Sequence, residues 1–171
     1  MVDESGSATP EQLRALGHPT RWRILRLCLD DAHTNQELAE RLGISPATML
    51  RHVRTLVRTG FLAADPVRTG ERGALERPYR ATRRTKGITA DLTEDSGLAQ
   101  QMDLALLGAH RAEMVEAGPS AGRDVLRGVL RLGPTAQAEL HDRLLGLLDE
   151  FIDRDEPDGE PLSYLWSLAA R

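Results

Sequence analysis

The chain has 171 residues, 40% of them hydrophobic, with a formal net charge of -4. That is enough apolar residue for a core, in one domain with an appendage or two small ones. No run approaches the ~18 apolar residues of a membrane span, and the opening MVDESGSATP lacks the basic and apolar regions of a signal peptide. Cys28 is the only cysteine, which excludes an intrachain disulfide and leaves a small core residue as its expected role. A cytoplasmic chain is expected.

The charges separate along the sequence. Residues 1–40 hold 4 basic and 7 acidic groups, residues 41–86 hold 11 and 3, and residues 87–171 hold 7 and 16. An acidic chain with one basic segment should approach a polyanion in a single orientation.

Residues 1–8 show no apolar periodicity and read as a flexible tail. Thr9, Pro10 and Gln12 supply a cap, a first-turn proline and a capping-box partner, so Leu13 and Leu16 fall on a short helix ending at Gly17. His18-Pro19 breaks the chain. From Thr20 a second helix turns Trp22, Leu25, Cys28 and Leu29 toward the core, with Ile24 beside them, and residues 30–33 form a loop.

Thr34 and Glu37 form a second capping box, which starts a helix at Asn35. Gly43 tolerates the left-handed backbone that ends it. Ser45 then caps a helix whose first residue is Pro46 and which runs to about Thr59. At 100 degrees per residue Met49, Leu50, Val53, Leu56 and Val57 share a core arc, while Thr48, Arg51, Thr55 and Arg58 share the opposite one. Two helices joined by a tight turn, the second basic on its free face, read as a helix-turn-helix whose second helix can lie in a major groove.

After Gly60 the helical period is lost. FLAADPVR and RPYRAT read as extended runs around TGERGALE, with Pro66 and Pro78 tolerable only at edge positions. The resulting hairpin, or wing, is crowded by Arg68, Arg72, Arg77, Arg80, Arg83, Arg84 and Lys86, as suits a segment reaching phosphates beside the groove.

LGHPTRWRILRLC, the two helices and the basic hairpin together resemble the ArsR-type winged-helix transcriptional regulators. The resemblance runs from Leu13 to Arg84. Its more specific parts are His18-Pro19-Thr20-Arg21 with Ile24-Leu25, and the spacing Thr48, His52, Leu56, Gly60. Two positions depart from it: Leu50 stands where relatives more often carry a small or polar residue, and residues 35–42 lack the cysteine pair of arsenic-sensing members. The resemblance therefore implies a non-metal-sensing branch and no cofactor.

Residues 87–95 read as a linker, with Ser96 capping a helix over residues 98–116. Leu98, Met102, Ala105 and Ala109 make one stripe, and Leu104, Leu106 and Leu107 widen it beyond what one domain usually buries. In ArsR-like proteins the helix after the wing pairs two subunits, and some relatives build a zinc site there. His110 and Glu113 resemble half of that site, but Gly97 and Ala99 stand where its other ligands should be, so no metal is expected.

Residues 124–132 read as a strand, Gly133-Pro134 opens a helix with Leu140, Leu144, Leu147, Leu148 and Phe151 on one face, and LSYLWSLA alternates as a second strand. The acidic loop at residues 153–160 lacks the ligand periodicity of an EF-hand and reads as a solvated turn. There is no GxSxG, no phosphate-cradling glycine loop and no Cys/His catalytic pairing, so no enzyme is expected.

The expected fold is mainly α with a small β component (α+β): a winged helix-turn-helix over residues 9–86, then a dimerisation helix and a strand-helix-strand unit over residues 87–171. The expected function is a sequence-specific DNA-binding regulator, a dimeric repressor controlled by a small-molecule or protein effector, binding an inverted-repeat operator in double-stranded DNA. The expected DNA contacts are Ala47, Thr48, Arg51, His52, Thr55, Arg58, Arg68, Arg72 and Arg77. The rival is a protein-interaction module that uses a winged helix without binding DNA. The surplus of arginine over residues 41–86 argues against it.

Overall fold

A computed structural model describes residues 8–70, 73–85, 96–122, 124–156 and 158–168. In chain order the elements are α1 (Pro10–Leu16), α2 (Pro19–Leu27), β1 (His33–Thr34), α3 (Asn35–Leu42), α4 (Pro46–Arg58), β2 (Leu62–Ala64), β3 (Arg68–Thr69), β4 (Leu75–Glu76), β5 (Pro78–Ala81), α5 (Ser96–Ala117) and α6 (Pro134–Ile152). Helices and a small sheet form an α+β winged helix. Among the described residues no helix is long and apolar enough to cross a membrane.

The local signals act as the sequence requires. Thr9 with Gln12 and Thr34 with Glu37 make reciprocal capping boxes, and Gly43 adopts φ 62 at the end of α3. That left-handed backbone strains any residue with a Cβ, so glycine allows the turn into α4. The cap of α2 is His18, whose Nδ1 accepts from the Thr20 amide, so this helix starts one residue earlier than its sequence suggested.

Leu16, Ile24, Cys28, Leu38, Met49, Leu56 and Phe61 close one core. Trp22 lies half-buried against it and donates its Nε1 hydrogen to the Leu16 carbonyl at 2.7 Å. Burial pushes the Cys28 thiol up to about 12, as expected of an inert core residue. Val57, expected in the core, is 39% exposed. It lies at the edge of the apolar arc, and near the end of α4 that edge has already turned outward.

The sheet is richer than a hairpin. β5 lies between β1 and β2 in a three-stranded antiparallel sheet, and β3 pairs with β4 separately as the outer wing. Pro78, expected only on an edge, begins this central strand opposite Thr34. As the strand's first residue it needs no amide hydrogen, and its carbonyl accepts from Asp65 at 2.9 Å.

The chain divides into two compact units, Met1–Ala121 and Gly122–Arg171, so α5 belongs with the winged helix. It packs on α1 and α2 through buried Ala99, Ala105 and Ala109, small side chains that let helices approach closely. Leu13 and Leu16 are 2% and 0% exposed, buried within their own chain.

In the second unit α6 forms as expected. The two strands expected to flank it do not: the described residues of 124–132 and 161–168 carry no strand. Apolar alternation marks which face of a strand would be buried, but a strand also needs a neighbour to complete its hydrogen-bond ladder. Leu126 at 91% and Leu162 at 68% exposure have no such neighbour among the described residues.

Candidate nucleic-acid interface

The orientation of α4 follows from its anchors. The Ser45 hydroxyl accepts from the Thr48 amide at 3.3 Å, and Asn35 Nδ2 donates to the Pro46 carbonyl at 3.1 Å, fixing the turn between α3 and α4. Met49, Val53 and Leu56 are buried, so the opposite arc must face out. Ala47, Thr48, Arg51, Arg54 and Arg58 are exposed on it, while Thr55 is half-buried and donates its hydroxyl to the Arg51 carbonyl. Among the described residues the Arg51 and Arg54 guanidiniums have no protein partner. Arg54 was missed in the sequence, although its position one helical turn after Arg51 was signal enough.

Three of the expected contacts are otherwise engaged. The His52 ring packs against His18, its Nδ1 is buried without a hydrogen-bond partner among the described residues, and burial with the nearby charges of His18 and Arg21 pushes its pKa down to about 4. Arg58 Nε donates to Glu11 at 2.9 Å. Arg68 donates to Glu37 at 2.6 Å and to Glu76 at 3.1 Å. On the wing Arg77 is exposed and unpaired among the described residues, while Arg80 bonds Asp65 and the Asp30 carbonyl and Arg83 lies 3.8 Å from Asp30. Arg72 and Lys86 lie outside the described residues.

Between α3, β1 and the outer wing is a cavity of about 540 Å³ with charged walls that include Asp31, Glu37, Arg41, Asp65, Arg68 and Arg80. On α5 the His110–Glu113 pair faces α2. Burial raises the Glu113 carboxyl, opposed by Arg26, His110 and Arg23, and Arg23 also forms an ion pair with Glu116.

Residues 16–63 match the family described as "Helix-turn-helix domain". No curated protein matches the chain. Among solved structures it is similar to Lactococcus lactis ZitR in a mutant apo form, at 18% identity over 82% of this chain and 87% of that one, TM-score 0.35. A second ZitR mutant shows 20% identity over 77% and 73% of the two chains, TM-score 0.35. M. tuberculosis Rv0081 shows 25% identity over 58% and 87%, TM-score 0.34. Likenesses of that size decide nothing about function. The helix-turn-helix domain, with an exposed basic arc on its second helix, marks a DNA-binding protein of the transcription-regulator class.

Proposed function

We propose that the chain is a sequence-specific, dimeric regulator of the ArsR-like winged-helix type, a repressor from the branch that senses no metal. Arg51 and Arg54, without a partner among the described residues on the outward arc of α4, carry this reading. A guanidinium there is free to bond a guanine edge in both donor positions. Ala47, Thr48 and Thr55 complete the base-facing arc, and Arg77 supplies a phosphate contact from the wing. Arg58 joins them on leaving Glu11, an exposed pair of little strength. Arg72 remains the expected wing-tip contact, and His52 supports the arc from beneath through His18.

The dimer rests on α5. Leu104, Leu107, Met114 and Val115, 61%, 42%, 44% and 69% exposed, form one stripe on the side away from α1 and α2. A second copy covers that stripe, giving a two-fold reader of an inverted repeat. The metal-free reading is supported by α3 without cysteine, by Gly97 and Ala99, and by the engagement of Glu113 with the cations of α2. The effector, a small molecule or a protein, acts through residues 87–171.

Selection from a random duplex pool with the purified full chain tests the proposal. Enrichment of an inverted repeat, bound at least ~1000-fold tighter than random duplex, is the expected result. A pool that stays random favours the protein-docking rival.

A further inference from the structure

We infer that Glu37 and Arg68 form a strut that sets the position of the wing, so that Arg68 serves DNA binding as a positioning residue and not as a phosphate contact. The inference rests on the DNA-binding reading above. Glu37 stands in the first turn of α3, where its Oε2 accepts from the Thr34 amide at 2.7 Å as half of the capping box. Its Oε1 accepts from Arg68 Nη2 at 2.6 Å, across 31 residues of sequence. Arg68 Nε in turn donates to Glu76 Oε2 at 3.1 Å, and Glu76 is its cross-strand partner in the outer wing. Gly70 makes room for this arrangement, because a Cβ there would collide with the Glu76 carboxylate. One guanidinium thus ties α3 to both outer strands.

Little else fixes those strands. β3 and β4 form their own two-stranded sheet, separate from the sheet at the base of the wing. Val67, just before β3, and Leu75, in β4, are 49% and 81% exposed, so neither side chain anchors the outer strands by apolar packing. Where a packed core would lie between the wing and α3 there is instead the charged cavity of about 540 Å³. An isolated two-stranded ribbon is marginal in water and takes its orientation from whatever ties it to the body. Here the tie is ionic. Burial pushes the Glu37 carboxyl up, but the bonds from Thr34 and Arg68 outweigh it and the group sits below its ordinary value, charged throughout the neutral range.

A phosphate is a poor competitor for this guanidinium. Two carboxylates already occupy it, and both would repel an incoming phosphate. The two roles therefore predict opposite signs for one substitution. Glu37→Gln keeps the cap, because glutamine serves equally in a capping box, while it removes the charge that holds Arg68. A strut predicts weaker binding of the selected duplex, by about two- to fivefold, the scale of an exposed ion pair. A carboxylate that merely competes with phosphate predicts tighter binding.

The experiment measures fluorescence anisotropy of the full chain on the selected duplex across a salt series, for wild type, Glu37→Gln, Glu76→Gln, Arg68→Ala and the Glu37→Gln/Arg68→Ala pair. Expected are losses of similar size in Glu37→Gln and Arg68→Ala, no further loss in the double variant, a smaller loss in Glu76→Gln, and a salt slope for Arg68→Ala within about 0.5 of wild type. Tighter binding by Glu37→Gln, or a slope shallower by the ~0.9 of one lost phosphate contact in Arg68→Ala, overturns the strut. Failure of wild type to bind any duplex overturns the DNA-binding reading instead, so the two failures are distinct.

Discussion

The rings of His18 and His52 lie 4.6 Å apart, tilted by 56°, and join the cap of α2 to the middle of α4. His18 Nδ1 is occupied as an acceptor for the Thr20 amide, whereas His52 Nδ1 is buried with no partner among the described residues. Arg21 lies beside both, its guanidinium bonded to the Arg14 and Ala15 carbonyls, and Arg58, paired to Glu11, stands next to Arg21. A proton on either imidazole would enter a half-buried site already holding positive charge. Both pKa values are lowered, first by burial and then by charge, Arg21 acting on His18, and His18 and Arg21 acting on His52, which falls to about 4.

Stability therefore depends on pH with a definite sign. The unfolded chain takes up a proton at each histidine near pH 6.5, while the folded chain refuses it until about pH 4 at His52. The unfolded state binds more protons in that window, so stability is full above pH 6.5 and declines as pH falls toward 4. Solvent reaches the site and reduces the effect to on the order of 1 kcal/mol. Urea unfolding at pH 7.5 and pH 5 should show the loss, and His52→Gln should flatten it. An unchanged difference in His52→Gln would place the pH dependence elsewhere.

On the DNA side, Arg51→Ala should cost roughly 1 to 3 kcal/mol on the selected duplex and relax the base preference at one position, as expected when a bidentate guanine contact is lost. Arg77→Ala should weaken all duplexes alike and make the salt slope shallower by about 0.9. The same is expected of Arg72→Ala. Competition with random duplex separates the two behaviours, and equal losses on selected and random DNA for Arg51→Ala would remove Arg51 from base reading.

Much of this was legible because it is local. A capping box spans three residues, a left-handed glycine one, and an apolar arc a single helix, so α1, α3 and α4 and the exposure of Thr48 and Arg51 can be read without knowing what packs where. What could not be read is long-range. Glu11 and Arg58 are 47 residues apart, Glu37 and Arg68 31, and only the fold brings them together. The arginine-rich middle thus suggested more free cations than the structure offers. The flanking strands of α6 failed for a related reason: alternation in LSYLWSLA describes a face, while the ladder partner is a property of the fold.

Metal should be without effect. Glu113 faces Arg23 and Arg26, and a divalent cation bound there would sit against two guanidiniums; Glu116, also near Glu113, is taken up by Arg23, and no cluster of three metal-ligating side chains forms among the described residues. Chelator or micromolar zinc should leave affinity for the selected duplex unchanged, and His110→Ala should be silent. A zinc-dependent change above about tenfold that His110→Ala abolishes would restore the metal site.

A lone winged helix reaches only a few base pairs, whereas a two-fold pair presents two helices to successive major-groove faces about 34 Å apart. The operator should be an inverted repeat with half-site centres about 10 to 11 base pairs apart, or a whole number of turns if the wings hold the helices wider. Side-chain exposure selects the residues to test for the proposed pairing. Leu13 and Leu16 are buried in their own chain, and Leu106 is half-buried, so the variant of choice is Leu107→Asp in the exposed stripe with Leu104. In a monomer that carboxylate would sit in water at little cost. Across a helix pair it would be buried without a partner, at several kcal/mol. Leu107→Asp should therefore sediment as a folded monomer with unchanged helical circular dichroism and should lose operator specificity while keeping weak, salt-sensitive binding to any duplex. Wild type sedimenting as a monomer at micromolar concentration, and protecting a single non-repeated half-site in footprinting, would refute the dimer.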